Sequence, residues 1–139
     1  MTQEYTMSSA NLLLAHTEYY QAFAARNLQA MMDLWSLENI SCVHPGWPVL
    51  VGRKAVIASY RDIFLNPQQP HIEVRQEQLL ESDFEGRVFC IEEVGGALLM
   101  ATNWFALQDS RWRLIHHQAS PLALDSARLA HSGPATSFH

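Results

Sequence analysis

Residues 86–121 read GRVFCIEEVGGALLMATNWFALQDSRWRLIHHQASP, and this stretch decides the fold. Its apolar and polar residues alternate with a period of two, which is the pattern of β-strands. Two short turn sequences divide it, namely Gly95-Gly96, which suits a two-residue hairpin turn, and residues 108–111. The stretch therefore predicts three consecutive antiparallel strands over residues 86–94, 97–107 and 112–120.

The two tight turns also set which residues of the three strands face one another. The first turn places Glu92 opposite Leu99, and the second places Asn103 opposite His116, so these side chains share one face. His117 is then predicted to point to the other face. The polar members of the first face are Glu92, Asn103, His116, Gln118 and Ser120. Burying such groups without a partner costs about 1 to 3 kcal/mol each, so we expect them to bond one another, water or a ligand.

The opposite face of the sheet is apolar as well. It carries Phe89, Ile91, Leu98, Met100 and Trp104. A sheet with one face in water alternates cleanly between apolar and polar residues, so both faces are expected to be covered. Three helices can cover only one face, and a large exposed apolar patch favours association. The pattern predicts a homodimer that forms through the outer face of the sheet.

The N-terminal half shows helical periodicity in three places. Apolar residues recur at three- and four-residue steps within residues 9–25, 28–35 and 53–64. Ser9 is predicted to cap the first helix and Asn27 the second. Residues 39–43, 49–51 and 71–81 predict strands, and the prolines and glycine of residues 44–48 predict a turn. The element order is α-α-β-(β)-α-β-β-β-β, which is an α+β fold.

Length and composition are those of one globular domain. The chain has 139 residues, of which 48 % are hydrophobic, enough for one core. We expect a flexible N-terminus over residues 1–8, the domain over residues 9–121 with Pro121 ending the last strand, and a tail over residues 122–139. Cys42 and Cys90 lie in apolar runs without a CxxC or metal-type spacing, which favours two buried free thiols.

The charge pattern excludes several classes of partner. The net charge is −5, and the nine Lys and Arg residues are scattered, so neither nucleic acid nor an anionic membrane surface is an expected partner. The sequence has no signal-peptide pattern and no run of about 20 apolar residues. A cytoplasmic location is therefore predicted.

Three segments resemble a known superfamily. They are YYQAFAARNLQAMMDLW at 19–35, SCVHPGWPVLVGRKAVIASYRDIF at 41–64, and ATNWFALQDSRWRLIHHQASP at 101–121. Together they resemble the nuclear transport factor 2-like (NTF2-like) superfamily, and more closely its SnoaL-like and kinase-II-association-type branches. The terminal strand of those branches often reads W-x-x-x-H-x-H-x-S. Residues 112–120 are similar to it, with Gln118 in place of the second His.

This resemblance implies a cone-shaped fold in which a strongly bent antiparallel sheet wraps around a long N-terminal helix. It also implies a cavity at the wide end and dimers that form through the outer sheet face. The superfamily includes ketosteroid isomerases, polyketide cyclases and dehydratases, and also members that only bind or assemble. Membership alone therefore does not fix an activity.

Two residues are candidates for proton transfer. Burial would raise the pKa of Glu92 and make it a general base, although it could instead reach solvent at the strand end or pair with Arg53. His116 could shuttle a proton, as histidines commonly do in enzymes, or donate to a ligand, although it could instead be a core histidine bonded to Asn103 or Glu92.

Other residues are candidates for ligand binding. His44 and Trp47 lie in the proline-rich loop that is predicted to overhang the pocket, where Trp47 could stack on a flat ligand or merely plug the mouth. Tyr20 can place its hydroxyl in the pocket, although a tyrosine at this spacing is also a common core residue. Asn103, Gln118 and Ser120 complete the predicted ligand-binding set.

No cofactor is predicted. His44, His116 and Glu92 could form a two-histidine, one-carboxylate metal set, but no local ligand spacing supports it, so no metal is predicted either. We expect a small-molecule-binding domain with a polar and apolar cavity in a homodimer. The alternatives are an isomerase, cyclase or dehydratase that uses Glu92 and His116, and an assembly or accessory domain with a vestigial pocket.

Overall fold

Residues 7–125 of the chain are described by a computed structural model, and they form three helices and one six-stranded sheet. The elements are α1 (Met7–Ala25), α2 (Leu28–Leu34), β1 (Ser41–Val43), β2 (Leu50–Val51), α3 (Arg53–Leu65), β3 (Ile72–Glu81), β4 (Glu85–Val94), β5 (Ala97–Gln108) and β6 (Arg111–Asp125). The strands lie in the order β2-β1-β6-β5-β4-β3. The sheet is curved and does not close, so the predicted α+β cone is confirmed.

The break between the first two helices lies where the sequence predicts it. Arg26 has a φ of +52°, which ends α1, and the Asn27 side chain accepts a hydrogen bond from the backbone N–H of Ala30 at 3.0 Å. Asn27 is therefore the N-cap of α2, as predicted. The prediction for Ser9 is wrong, because α1 begins earlier, at Met7, and the Ser9 hydroxyl bonds the carboxylate of Glu81.

One core fills the space between the helices and the inner face of the sheet. Its members are apolar residues from all three helices and from β1, β4, β5 and β6, and the largest of them are fully buried. These are Trp35, Tyr19, Tyr60, Phe105, Leu12 and Met31. The Arg53 guanidinium donates to the backbone carbonyls of Met32, Trp35 and Ser36, so it joins the end of α2 to the start of α3 and does not reach Glu92.

A β-bulge in β6 changes which side chains face inward. The predicted register holds from Leu107 opposite Trp112 to Phe105 opposite Leu114, but Trp104 then lies opposite His116. Ile115 is therefore an extra residue on β6. Beyond it every side chain of β6 is on the face opposite to the predicted one.

A second bulge lies in β3. Between Arg75, opposite Ile91, and Gln78, opposite Phe89, two residues of β3 face one residue of β4. Gln76 has a φ of +56° at this point, and the next residue, Glu77, reaches α1, where its carboxylate contacts His16. This bulge thus directs the Glu77 side chain from the edge strand β3 towards α1.

The last strand is longer than predicted. Pro121 does not end β6, which continues to Asp125 after an irregularity between Leu99 and Ala97 of the neighbouring strand. On the outer face, Ile91 and Leu98 are buried within this chain, where Met100 and Leu122 pack on them. Residues 1–6 of the predicted N-terminus and residues 126–139 of the predicted tail lie outside the described residues.

Both cysteines are free and fully buried, as predicted. Burial raises the pKa of the Cys42 thiol and of the Cys90 thiol to about 12 in each case. They therefore stay protonated at neutral pH and pack as small hydrophobic groups.

We expect that β4 needs glycine at position 86, because a larger side chain would not fit there. A methyl group at this position would lie 2.6 Å from Cδ2 of the fully buried Leu12. Gly86→Ala should therefore lower the free energy of unfolding by about 1 to 3 kcal/mol, measured by chemical denaturation.

The matched control is the same substitution in a Leu12→Ala background, where the added methyl group enters space that the leucine has left. There the cost of Gly86→Ala should vanish or change sign. An equal cost in both backgrounds would show that contact with Leu12 is not the cause.

Candidate functional site

A pocket of about 540 Å³ opens between α1, α3 and one end of the sheet. Apolar and aromatic side chains form most of its wall, and a few polar groups interrupt them, which is the usual composition of a small-molecule site. Its lining residues come from both helices, the 44–47 loop, the segment between α3 and β3, and strands β3 to β6. They are Tyr19, Phe23, His44, Pro45, Trp47, Asp62, Ile63, Asn66, Gln69, Ile72, Glu92, Val94, Ala97, Leu99 and His117.

The loop after β1 places two aromatic rings at this pocket. The backbone N–H of Trp47 donates to the carbonyl of His44 at 2.9 Å, with Pro45 second in the turn and Gly46 third at a φ of +81°. This is the arrangement of a type II turn, whose third residue needs a positive φ. The Trp47 ring meets the His44 ring edge to face at 5.0 Å and is 42 % exposed. Both predicted loop residues thus lie at the pocket.

His44 is held neutral and oriented from α3. Its Nε2 lies 2.8 Å from the hydroxyl of Ser59, and that hydroxyl donates its own proton to the carbonyl of Val56 at 2.6 Å. His44 Nε2 therefore carries the proton that Ser59 accepts. Burial lowers the pKa of His44 to about 4, so the ring has no charge at neutral pH.

His117 lies on the inner face because of the bulge at Ile115. It is buried, its ring stacks on Tyr19 with centroids 5.0 Å apart, and its Nδ1 lies 2.6 Å from Oδ1 of Asn103. Because that oxygen can only accept, Nδ1 carries the proton. Burial lowers the pKa of His117 well below its usual value. The ring is therefore neutral, and its Nε2, which has no hydrogen-bond partner among residues 7–125, is an acceptor.

Asn103 is fully buried and does not line the pocket, so its predicted contact with a ligand is wrong, and its amide instead bonds the side chains behind the pocket floor. Its Nδ2 donates to the Tyr20 hydroxyl at 3.0 Å and lies 3.0 Å from Nε2 of His16. His16 Nδ1 in turn lies 2.6 Å from the Glu77 carboxylate. Both amide protons and the amide oxygen of Asn103 are thus engaged, which fixes the orientation of this side chain.

Glu92 is buried at the same end of the sheet, as the hairpin register predicts. The Tyr20 hydroxyl donates to its Oε2 at 2.6 Å. Burial raises the pKa of the Glu92 carboxyl, and the Tyr20 hydrogen bond opposes that rise. Its Oε1 has no partner among the described residues, so the pocket floor offers one free carboxylate oxygen and one free imidazole nitrogen.

The profile of the SnoaL-like domain matches residues 13–124, which is most of the chain. The chain belongs to the SnoaL-like domain family. The resemblance to the NTF2-like superfamily, SnoaL-like branch, is thereby confirmed.

Two solved structures and one curated protein are similar to this SnoaL-like chain. A candidate dehydratase of the NTF2-like family from Streptomyces avermitilis is 28 % identical, with a TM-score of 0.76 over 83 % of this chain and 96 % of that one. A candidate calcium/calmodulin-dependent protein kinase type II association domain from Thiobacillus denitrificans is also 28 % identical, with a TM-score of 0.69 over 78 % and 92 %.

The curated protein is the F-box protein SKIP8 of Arabidopsis thaliana, which is 27 % identical over 132 residues. The match covers 91 % of the SnoaL-like chain and 56 % of SKIP8. The chain thus spans little more than half the length of that relative.

Several predicted positions of the SnoaL-like site are wrong, and the bulge at Ile115 is the reason. His116 lies on the outer face, where its Nδ1 is 2.7 Å from the Ser41 hydroxyl and its Nε2 is 3.2 Å from Gln118 Oε1. Gln118 and Ser120 are exposed on that face, opposite Thr102 and Met100. None of the three lines the pocket, and His117 takes the position predicted for His116.

Tyr20 was predicted to place its hydroxyl in the pocket, and this prediction is wrong for a different reason. Its ring does not line the pocket, and its hydroxyl bonds Glu92 and Asn103 from behind the pocket wall. Tyr19 lines the pocket instead. Adjacent tyrosines on a helix point about 100° apart, and an apolar face of that width admits either of them, so periodicity could not separate the two.

The metal set considered from the sequence is not brought together, because His116 is on the other side of the sheet from His44 and Glu92. Across the described part of the chain, no group of three or more His, Cys, Asp or Glu side chains is arranged to hold a metal ion. No helix among residues 7–125 is long and apolar enough to cross a membrane.

The neutral His44 predicts that the fold is sensitive to acid. Its folded pKa of about 4 lies below the ordinary value of 6.5, so between these pH values the unfolded chain binds more protons. The free energy of unfolding should therefore fall as the pH falls through this window, by about 3 kcal/mol for this residue by pH 4. His44→Gln retains an N–H donor for Ser59 and cannot titrate.

The difference in unfolding free energy between the wild type and His44→Gln should shrink by that amount between pH 7 and pH 4, measured by urea denaturation. The raised pKa of Glu92 acts with the opposite sign, but it is common to both proteins and cancels. His71→Gln, at an exposed position, is the control and should leave the profile parallel to the wild type. A parallel profile for His44→Gln would contradict the assignment.

Proposed function

We propose that this SnoaL-like domain binds a small organic molecule in the pocket between α1, α3 and the sheet. The observation that carries the proposal is the pocket floor, where Glu92 Oε1 and His117 Nε2 have no partner among the described residues, while the Tyr20 hydroxyl and the Asn103 amide behind them are paired. Polar atoms that open to a largely apolar pocket without a protein partner are expected to meet a ligand or water.

The open pocket also favours binding over the vestigial alternative. Trp35 is fully buried in the core and Tyr20 lies behind the wall, so neither fills the pocket. Trp47 is part of the wall and is substantially exposed. A volume of about 540 Å³ lies within the range of sites that accept drug-sized molecules.

A second candidate function, proton transfer of the isomerase, cyclase or dehydratase type, is favoured by one observation. His117 is held neutral by burial, with its proton on Nδ1 and a free acceptor at Nε2, next to a pocket that also contains Glu92 with a raised pKa. A free imidazole acceptor and a carboxylate whose pKa is raised by burial are both groups that can take up a proton from a ligand, as general bases do. In this proposal His117 takes the role that the sequence suggested for His116.

We also propose that the domain forms a homodimer through the outer face of the sheet. The cytoplasmic location stays a prediction. Phe89 and Trp104 are half-buried on the outer face, and Arg87 stacks over the Trp104 ring at 4.5 Å. The Trp104 indole N–H is buried without a hydrogen-bond partner among the described residues. A half-covered aromatic surface of this kind supports a protein partner.

Ligand binding is tested with a library of small aromatic and alicyclic compounds, using the melting temperature as the first readout and calorimetry for compounds that raise it. Leu99→Trp should abolish binding, because it adds a ring inside the pocket lining. Leu80→Trp, at an exposed position away from the pocket, is the matched control and should bind as the wild type does.

If no compound binds the wild type, or if both tryptophan variants bind alike, the proposed pocket is not the site. For any bound carbonyl compound, proton exchange with D₂O is the readout of the second candidate. It should be lost in both Glu92→Gln and His117→Gln while binding persists, and retained in His116→Gln on the outer face.

The dimer is tested at Thr102, which is half-buried at the centre of the outer face between Phe89 and Gln118. Thr102→Glu should convert a dimer of twice 15.8 kDa into a monomer in analytical ultracentrifugation, because paired interfaces bring the two carboxylates together. Leu14→Glu on the exposed side of α1 should remain dimeric. A monomeric wild type, or an unaffected Thr102→Glu variant, would overturn the outer-face dimer.

A further inference from the structure

The charges around the pocket bear on the kind of ligand that it accepts. We propose that the pocket binds an organic cation, namely a protonated primary or secondary amine carried on a small aromatic or alicyclic skeleton. This inference rests on the proposed small-molecule binding and adds the ligand class to it.

The pocket lining has negative charge and no positive charge to balance it. Of the lining residues, Glu92 at the floor and Asp62 at the exposed rim carry carboxylates, and none is Lys or Arg. The two lining histidines are neutral, since His44 is buried and donates to Ser59, and His117 is buried against Asn103. A carboxylate or phosphate ligand would meet repulsion and no counter-charge, so anions are poor ligands for this site.

The hydrogen-bond donors behind the floor are already engaged within the protein. The Tyr20 hydroxyl donates to Glu92, the Asn103 amide donates to Tyr20 and faces His16 Nε2, and His117 Nδ1 donates to Asn103. Between Glu92 and His117 at the floor, the atoms without a partner among the described residues are two acceptors, Glu92 Oε1 and His117 Nε2. A ligand that satisfies them must donate hydrogen bonds, and an ammonium group has two or three N–H donors.

Glu92 gives the preference for a charged donor over a neutral one. It is 3 % exposed, and no cationic side chain of the described residues pairs with it, since Arg53 donates to three backbone carbonyls elsewhere. A buried carboxylate without a counter-ion is costly, and a ligand ammonium would supply that counter-ion. The Tyr20 hydrogen bond holds the carboxylate in place for such a pairing.

The walls suit the rest of such a ligand. Tyr19, Phe23 and Trp47 line the pocket with aromatic rings, whose faces attract cations and pack against an apolar skeleton. The net charge of −5 also favours the approach of cations over anions at low salt.

The test uses three probes of similar size that differ in charge: 2-phenylethylamine, 2-phenylethanol and 3-phenylpropanoate. Dissociation constants are measured by calorimetry on the full chain at pH 7.5, at concentrations up to the solubility limit. We expect the amine to bind about tenfold more tightly than the alcohol, and the carboxylate to bind more weakly than both.

Glu92→Gln is the decisive variant, because it retains the shape and a hydrogen-bonding oxygen but removes the charge. It should raise the dissociation constant of the amine about tenfold and change that of the alcohol by less than about threefold. Asp62→Asn at the exposed rim is the matched control, and it should weaken the amine only slightly, in a manner that disappears at high salt. The amine affinity of the wild type should also fall as the pH is lowered, because protonation of Glu92 removes its charge, while the alcohol affinity should not.

The outcomes separate this inference from the proposed function. If the alcohol or the carboxylate binds as tightly as the amine, or if Glu92→Gln leaves the amine preference intact, the pocket binds small molecules but the cation proposal is wrong. If none of the three probes binds the wild type and the library described above also gives no ligand, the proposed function fails and the ligand class fails with it.

Discussion

The side-chain amide of Asn103 is the interaction on which the candidate site depends. It is fully buried, its oxygen accepts from His117, and its nitrogen faces Tyr20 and His16. Rotating this amide by 180° would leave each of those three contacts mismatched, at about 1 to 3 kcal/mol for each buried group left without a partner. One amide therefore sets the proton position on His117 and the direction in which the Tyr20 hydroxyl points, and through Tyr20 it orients Glu92.

The two bulges are what bring this network together. Regular pairing would direct the side chains of β3 and β6 by strict alternation. The extra residue in β6 turns His117 inward, and the irregularity at Gln76 in β3 lets Glu77 reach His16 on α1. A chain of hydrogen bonds consequently runs from the half-exposed Glu77 through His16 and Asn103 to His117 at the pocket. The regular part of the sheet holds these strands in place, and the two bulges determine which way the side chains of His117 and Glu77 point.

The sequence was sufficient for the fold and for part of the site. Alternation and the Gly95-Gly96 turn placed Glu92 and Asn103 correctly, because a two-residue turn leaves no freedom in the pairing of β4 with β5. The bulge at Ile115 could not be predicted, because no glycine or proline marks its position in the sequence. That single extra residue moved His116, Gln118 and Ser120 out of the predicted site. The paired tyrosines of α1 were ambiguous because both fit one helical face.

Because residues 116 and 117 are both histidines, an imidazole would lie opposite Asn103 with or without the bulge in β6. In the bulged register His117 lies opposite Asn103, and in a regular ladder His116 would lie there. Either arrangement therefore presents an imidazole to the same amide. A shift of the bulge along the strand would exchange one histidine for its neighbour and leave the ring chemistry at the pocket floor unchanged. Because a change of register moves the other side chains of a strand to the opposite face, the contact with Asn103 is the one feature of β6 that the paired histidines would preserve.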